Sequence, residues 1–232
     1  MKKSKNKVVR LLVIIDRIYD FVFPKEKHCA YCGAECAHGQ VCVPCKAKLA
    51  ILKVDNHLPS SDTSIEKIGV KSCYYYDDIA KEIVISYKYG RNSSLYLRIA
   101  KEIVTMLAEN NITADFISYV PLHKSKKATR GFDQAKKIAI GVSYLTDIPY
   151  LKTLNRIKKT DTQAGLSEKL REQNVKNAFI LNSRKILSEK SVIIIDDVTT
   201  TGSTLNACIN TLKLSGSTKI IPVAFASTKF VH

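Results

Sequence analysis

Four apolar residues, Val192-Ile193-Ile194-Ile195, run straight into two adjacent carboxylates, Asp196 and Asp197. Behind them follow Val198-Thr199-Thr200-Thr201-Gly202-Ser203-Thr204. An unbroken apolar run closed by turn formers predicts a strand buried on both faces, and hence a parallel sheet covered by helices. The stretch from Leu205 is compatible with a helix, so the acids and hydroxyls fall at a strand-to-helix crossing. That edge is where open α/β sheets hold ligands. Gly202 permits backbone N–H groups to approach a phosphate closely, and the hydroxyls of Thr200, Thr201, Ser203 and Thr204 add donors at the helix start. A Walker loop would place lysine after its last glycine, and none stands here. The acids ahead of the cradle are instead acceptors suited to sugar hydroxyls.

The chain has seven cysteines, five of them between positions 29 and 45. Cys29-x-x-Cys32 and Cys42-x-x-Cys45 make two short knuckles, each able to place two thiolates on one tetrahedral ion. Soft sulfur ligands point to Zn²⁺ in a structural role. Cys36, His28 and His38 lie nearby, so spacing alone leaves the ligand set open; the two matched pairs are preferred, with Cys36 a bystander. A redox dithiol would need one such pair beside a thioredoxin-like strand, and here there are two. Cys73 and Cys208 sit in apolar segments and read as core.

At 232 residues the chain can hold one sizeable α/β domain and a small appendage. The expected division is an N-terminal helix with a cysteine module over 1–55 and an α/β domain over 65–232. With 37 Lys+Arg against 21 Asp+Glu the net charge is +16, which favours anionic partners such as phosphates, nucleic acid or acidic lipid. Lys2, Lys3, Lys5, Lys7 and Arg10 ahead of an apolar run imitate a signal peptide, but Asp16, Arg17 and Asp20 interrupt it. The run is also shorter than the roughly 20 residues a membrane span takes. An amphipathic helix carrying Leu11, Ile14, Ile15, Ile18, Phe21 and Val22, on a cytoplasmic protein, is the expectation.

Further along, periodicity predicts a strand over 70–76, helices over 79–89 and 95–109, and a buried strand over 116–120. A basic loop, a helix over 133–144 and an extended stretch over 148–154 follow, then a polar flap over 158–176. A strand over 192–195, a helix over 204–214 and a strand over 220–226 complete an alternating β/α order with right-handed crossovers. The basic loop carries Lys124, Lys126, Lys127, Arg130 and Gly131, at the same sheet edge as the acids. Arg130 is its best anion ligand, because guanidinium geometry matches phosphate oxygens. Lys88-Tyr89-Gly90-Arg91 forms another cluster, and Thr160, Gln163, Leu166, Arg171 and Asn174 lie in the flap, which could close over a reacting sugar.

The 192–204 segment resembles the phosphoribosyl pyrophosphate (PRPP) signature of type I phosphoribosyltransferases. Taken with Cys pairs 29/32 and 42/45, Lys88-Tyr89-Gly90, Val120-Pro121-Leu122-His123, Arg130-Gly131-Phe132-Asp133-Gln134, Thr160 with Gln163, Leu166 and Arg171 with Asn174, the chain resembles the ComF family. These are phosphoribosyltransferase-like proteins with an N-terminal zinc ribbon, associated with competence for DNA uptake. That family usually shows Asn where this chain has Asp133. The resemblance implies a type I phosphoribosyltransferase-like parallel sheet flanked by helices, plus a small four-cysteine zinc ribbon. It implies PRPP binding with Mg²⁺ through Asp196, Asp197, Thr199, Thr200, Thr201, Gly202, Ser203, Thr204, Arg130 and Lys88, with Asp196 and Asp197 catalytic if transfer occurs. It further implies handling of single-stranded DNA beside a helicase-like partner at the inner face of the membrane. Lys124, Lys126, Lys127, Lys158 and Lys159 are the expected DNA contacts, since lysines serve phosphates as point charges. The competing reading is a working transferase that moves phosphoribosyl from PRPP to a base or amine.

Overall fold

In a computed structural model the described residues are 28–29, 31–36, 41–56, 69–89, 95–158, 177–182 and 187–228, with 11, 13, 14 and 18. From residue 43 onward the elements among the described residues are, in order, α1 Val43–Ile51, β1 Lys71–Tyr75, α2 Asp78–Tyr89, α3 Leu95–Glu109, β2 Phe116–Tyr119 and α4 Lys124–Arg130. Then come α5 Gln134–Thr146, β3 Leu154–Arg156, β4 Phe179–Leu181, β5 Ser191–Thr199, α6 Ser203–Lys213 and β6 Lys219–Ser227. The main sheet has the order β1-β6-β5-β2, and all three pairings are parallel. β3 and β4 form a separate antiparallel pair.

The apolar run of β5 shows why the sheet is covered on both faces. Ile193 and Ile195 enter the cluster built by α3 and α5, with Ile99, Ile103 and Ile138. Val192 and Ile194 enter the opposite cluster, with Leu205, Cys208 and Leu212 of α6. All four strand residues are fully buried, each stabilising the fold by about 1.5–3 kcal/mol. The strand continues beyond its apolar part, because Asp196 pairs with Ala224 and Thr199 with Ser227. The acids therefore sit on the last rungs of the sheet rather than in a loop after it.

Three further differences from the sequence reading have local causes. Residues 124–130, expected as a loop, form α4: the His123 ring accepts from Ser125 N–H at 3.2 Å to open it, and Gly131 closes it at φ 78°. Residues 148–154 do not make one strand; Pro149 and Leu151 bond Ile117 on the edge of β2, and only Leu154 enters β3. At the N-terminus Leu11, Val13, Ile14 and Ile18 are helical, but Val13 is the buried one, packed against Ile140, while the other three are about half exposed. Residues 159–176, the expected flap, lie outside the described residues.

The Cys module packs directly on this core. Tyr31 and Leu49 are 5% exposed and belong to the same cluster as α3 and β6. Tyr74 of β1 stacks edge-on against Phe225 of β6 at 5.4 Å and donates to Glu102 at 2.7 Å.

α3 and α5 approach closely because α5 presents Gly141 to α3. A Cβ there would stand 2.8 Å from Ala100 Cβ and 3.2 Å from the Tyr96 ring. Gly141→Ala should destabilise the protein by about 1–3 kcal/mol through overpacking, despite the roughly 1 kcal/mol that alanine gains in a helix. Adding Ala100→Gly should recover part of the loss. Equal urea midpoints for Gly141→Ala and the parent chain would contradict the close approach.

Candidate functional site

β2 and β5 are neighbours, with Tyr119 registered to Ile195, so the segments that follow both strands face one cleft of about 250 Å³. One side is made by the end of β5. Asp196 Oδ1 accepts from Asp197 N–H at 2.9 Å, and Asp197 Oδ1 accepts from Val198 N–H at 2.7 Å, which fixes both carboxylates. The chain then turns at Gly202, whose φ of 74° suits a residue without Cβ, and enters α6 with no side-chain cap from Gly202 on its first turn. Thr201 and Ser203 hydroxyls pair at 2.7 Å. Thr228 holds the turn from β6: its N–H bonds the Thr199 carbonyl at 3.1 Å and its hydroxyl the Thr200 carbonyl at 2.8 Å.

The facing side comes from the segment after β2. Pro121 and Leu122 lead into α4, from which Lys126 and Arg130 reach the cleft. The Arg-Gly-Phe-Asp-Gln sequence ends one helix and starts the next: Gly131 closes α4, and Asp133 caps α5 by accepting from Lys136 N–H at 3.2 Å. The second Asp133 oxygen accepts from Leu122 N–H at 3.1 Å, tying the segment down. Burial raises the Asp133 carboxyl above the ordinary range, against the two N–H bonds that favour its charge. Phe132 packs on Tyr87 at 5.4 Å. Arg130 donates to Tyr89 Oη at 3.1 Å and lies 5.2 Å above that ring.

Lys88, in the last turn of α2, closes the cleft from a third direction. Its Nζ stands 3.2 Å from Asp197 Oδ2. Burial favours the neutral amine, but Asp197 and Asp196 outweigh it and raise the lysine above its usual range. Asp196 is pushed up to about 8, chiefly by burial and then by Asp197, against the attraction of Lys88. Arg156 at the end of β3 also lines the cleft, 5.3 Å above the Phe179 ring.

Of the residues expected from sequence, the cleft gathers Lys88, Lys126, Arg130, Asp196, Asp197 and Thr204. Lys124, Lys127 and Lys158 are exposed, and Lys159 lies outside the described residues. Lys126 thus parts from the other lysines of its segment. Gln134, which the sequence reading placed in the Arg-Gly-Phe-Asp-Gln motif, and Arg156, which opens the polar segment leading to the flap, also line the cleft, though neither was given an individual role from sequence.

In the N-terminal module the thiols of Cys29, Cys32, Cys42 and Cys45 lie within 4.8 Å of one another. Cys29 and Cys45 sulfurs are 3.9 Å apart, and those of Cys32 and Cys42 3.7 Å. Four thiolates at the Zn–S length of about 2.3 Å in a tetrahedron stand roughly 3.8 Å apart, so the set fits such an ion. Burial opposes ionisation of Cys29, yet N–H groups of Cys32, Cys42 and Tyr31 prevail and lower its thiol to about 6. Cys36 is not among the four.

A phosphoribosyl transferase domain model matches residues 128–229, which hold the acid pair and, of the facing side, Arg130 to Gln134 but not Lys88 or residues 120–126. Over that span the fold is of the phosphoribosyl transferase domain kind. Competence protein F of Haemophilus influenzae is 43% identical over 103 residues, 44% of this chain and 45% of that protein. DNA utilization protein YhgH of Salmonella typhi is 33% identical over 107 residues, 46% of each chain. Competence protein ComFC of Bacillus subtilis is 23% identical over 197 residues, 79% of this chain and 76% of that protein. The chain is thus similar to competence and DNA utilization proteins over about half of its length. Its matches to the first two span about half the length of those relatives.

The raised Asp196 has a consequence for stability. A carboxyl whose folded pKa lies above its unfolded value stabilises the protein at low pH, and that contribution is lost as pH rises from about 4 through about 8. Asp196→Asn removes the buried charge. The variant should melt on the order of several degrees above the parent at pH 8.5, with the gap closing towards pH 5. A gap independent of pH would show that Asp196 is ionised throughout.

Proposed function

We propose that this chain binds PRPP at the cleft and acts in DNA uptake, handling single-stranded DNA on a separate basic surface. The observation that carries the first part is the placement of an acid pair against a cationic wall at the adjoining ends of β2 and β5. Asp196 and Asp197 would accept hydrogen bonds from ribose hydroxyls, and the turn of Thr199, Thr200, Thr201, Gly202, Ser203 and Thr204 would receive the 5′-phosphate at the start of α6. Lys88, Lys126 and Arg130 would face the pyrophosphate. Mg²⁺ bound with PRPP would neutralise part of the pyrophosphate charge. The names of the competence and DNA utilization relatives support the uptake role.

The DNA surface in this reading is the exposed set Lys124, Lys127 and Lys158, with Lys159 beside it in sequence. Lys126 belongs to the cleft. We assign residues 1–55 to a helix and zinc module and 65–232 to the phosphoribosyltransferase-like domain. Zn²⁺ on Cys29, Cys32, Cys42 and Cys45 would anchor that module, which is too small to hold itself by burial alone.

Titration calorimetry with Mg²⁺ tests the cleft. The Asp196→Asn, Asp197→Asn double variant should lose at least tenfold in PRPP affinity, from charge-assisted bonds worth about 1.5–3 kcal/mol each. Unchanged affinity would overturn the site. Pyrophosphate release in the presence of a base panel would instead establish a working transferase. For DNA, log affinity should fall with log salt by roughly 0.7 per phosphate neutralised. Changing Lys124, Lys127 and Lys158 together to Ala should flatten that slope and spare PRPP binding. Displacement of the strand by saturating PRPP would make the two sites one.

Metal analysis of the purified protein should give one zinc per chain. Cys42→Ser should lower it and Cys36→Ser should not; a zinc-free Cys36→Ser protein would refute the ligand set.

A further inference from the structure

Gln134 opens α5 with a side chain 2% exposed on the wall of the cleft. Its Oε1 accepts from Arg130 Nη1 at 3.4 Å, and its backbone carbonyl accepts from Tyr87 Oη at 3.0 Å. Its Nε2 is buried and has no hydrogen-bond partner among the described residues. A buried donor without an acceptor destabilises a fold, and native structures keep few of them. Gln134 lines the cleft, so a ligand seated there is the nearest source of the missing acceptor.

The neighbours define what that acceptor is. Lys126 and Arg130 on the α4–α5 side of the cleft are donors only. Asp133 on the same side has its two oxygens turned to the N–H groups of Leu122 and Lys136, so its charge is spent on the helix start. The acid pair of the cleft, Asp196 and Asp197, belongs to β5. A donor-lined side opposite an acid pair divides a ligand into a hydroxyl-bearing part and a fully ionised part.

We propose that Gln134 is a specificity residue for the pyrophosphate group, donating its Nε2–H to a pyrophosphate oxygen of PRPP. Its Oε1 at the same time sets the plane of the Arg130 guanidinium, whose other arm is held by Tyr89 Oη. One amide thus contacts the ligand and orients the neighbouring cation. This inference rests on the PRPP reading of the cleft. It adds a residue that tells PRPP from ribose 5-phosphate, which shares its sugar and 5′-phosphate but carries no pyrophosphate.

Calorimetry of the full chain with Mg²⁺, comparing PRPP and ribose 5-phosphate, tests it on Gln134→Met and Gln134→Glu, with melting curves confirming that both variants fold. Methionine keeps the length and removes the amide. It should weaken PRPP about tenfold to a hundredfold and leave ribose 5-phosphate within about twofold, the span of context effects. Glutamate keeps an acceptor for Arg130, removes the donor and adds charge, so it should weaken PRPP at least as much. Wild-type PRPP affinity in Gln134→Glu would overturn the proposal, since Gln134 would then act through Arg130 alone. Equal losses for both ligands would overturn it as well, showing a structural role. A parent chain that binds neither ligand would reject the PRPP reading itself, an outcome distinct from a parent that binds both while the variants fail to discriminate.

Discussion

The parallel pairing of β2 with β5 is the constraint on which the site depends. Registering Tyr119 with Ile195 brings two segments more than 70 residues apart in the chain to one edge. The first supplies cations and the second carboxylates, and neither makes a cleft alone. The pairing is itself secured by burial, since Ile117 and Ile193 to Ile195 are fully enclosed between α3 and α5 on one face and α6 on the other. A central strand buried on both faces tolerates no slip, because a one-residue shift would exchange its two sets of side chains.

That secure strand ends in a local conflict. Asp196 and Asp197 lie side by side at the rim of an apolar sheet, where burial and mutual repulsion both oppose charge. Lys88 answers part of that conflict from α2, and Arg130 and Lys126 add positive charge opposite. Electrostatic disagreement confined to one edge, on an otherwise consistent fold, is the arrangement expected of a functional site.

The sequence made much of this legible, and the reasons differ from residue to residue. β5 and its acids could be read because four apolar residues in a row can hardly be anything but a doubly covered strand. The four thiols were legible because two equally spaced pairs carry a geometry of their own, now seen within 4.8 Å. α4 was hidden: Lys-Ser-Lys-Lys-Ala-Thr-Arg has no apolar period, and caps at His123 and Gly131 make the helix. Gln134 was legible only as the last residue of the Arg-Gly-Phe-Asp-Gln motif, and that it and Arg156 line the cleft follows from how α5 and β3 dock. Lys126 and Lys127 are adjacent in sequence yet face different surroundings, a distinction that only the helix phase of α4 supplies.

The strand order carries a temporal consequence. β6 follows every other strand in the chain, yet it sits inside the sheet, between β1 and β5. A ribosome emits the acids and the hydroxyl turn before the strand that supports them, and Thr228, which pins that turn, comes after β6. Until then β1 is bonded to residues 52–54 on one edge and open on the other, and β5 has one exposed edge. Long-range parallel pairing of this kind is slow and leaves such edges open to other chains. Assembly of the cleft therefore waits on β6, and its hydroxyl turn stays unsupported until that strand and Thr228 have been made.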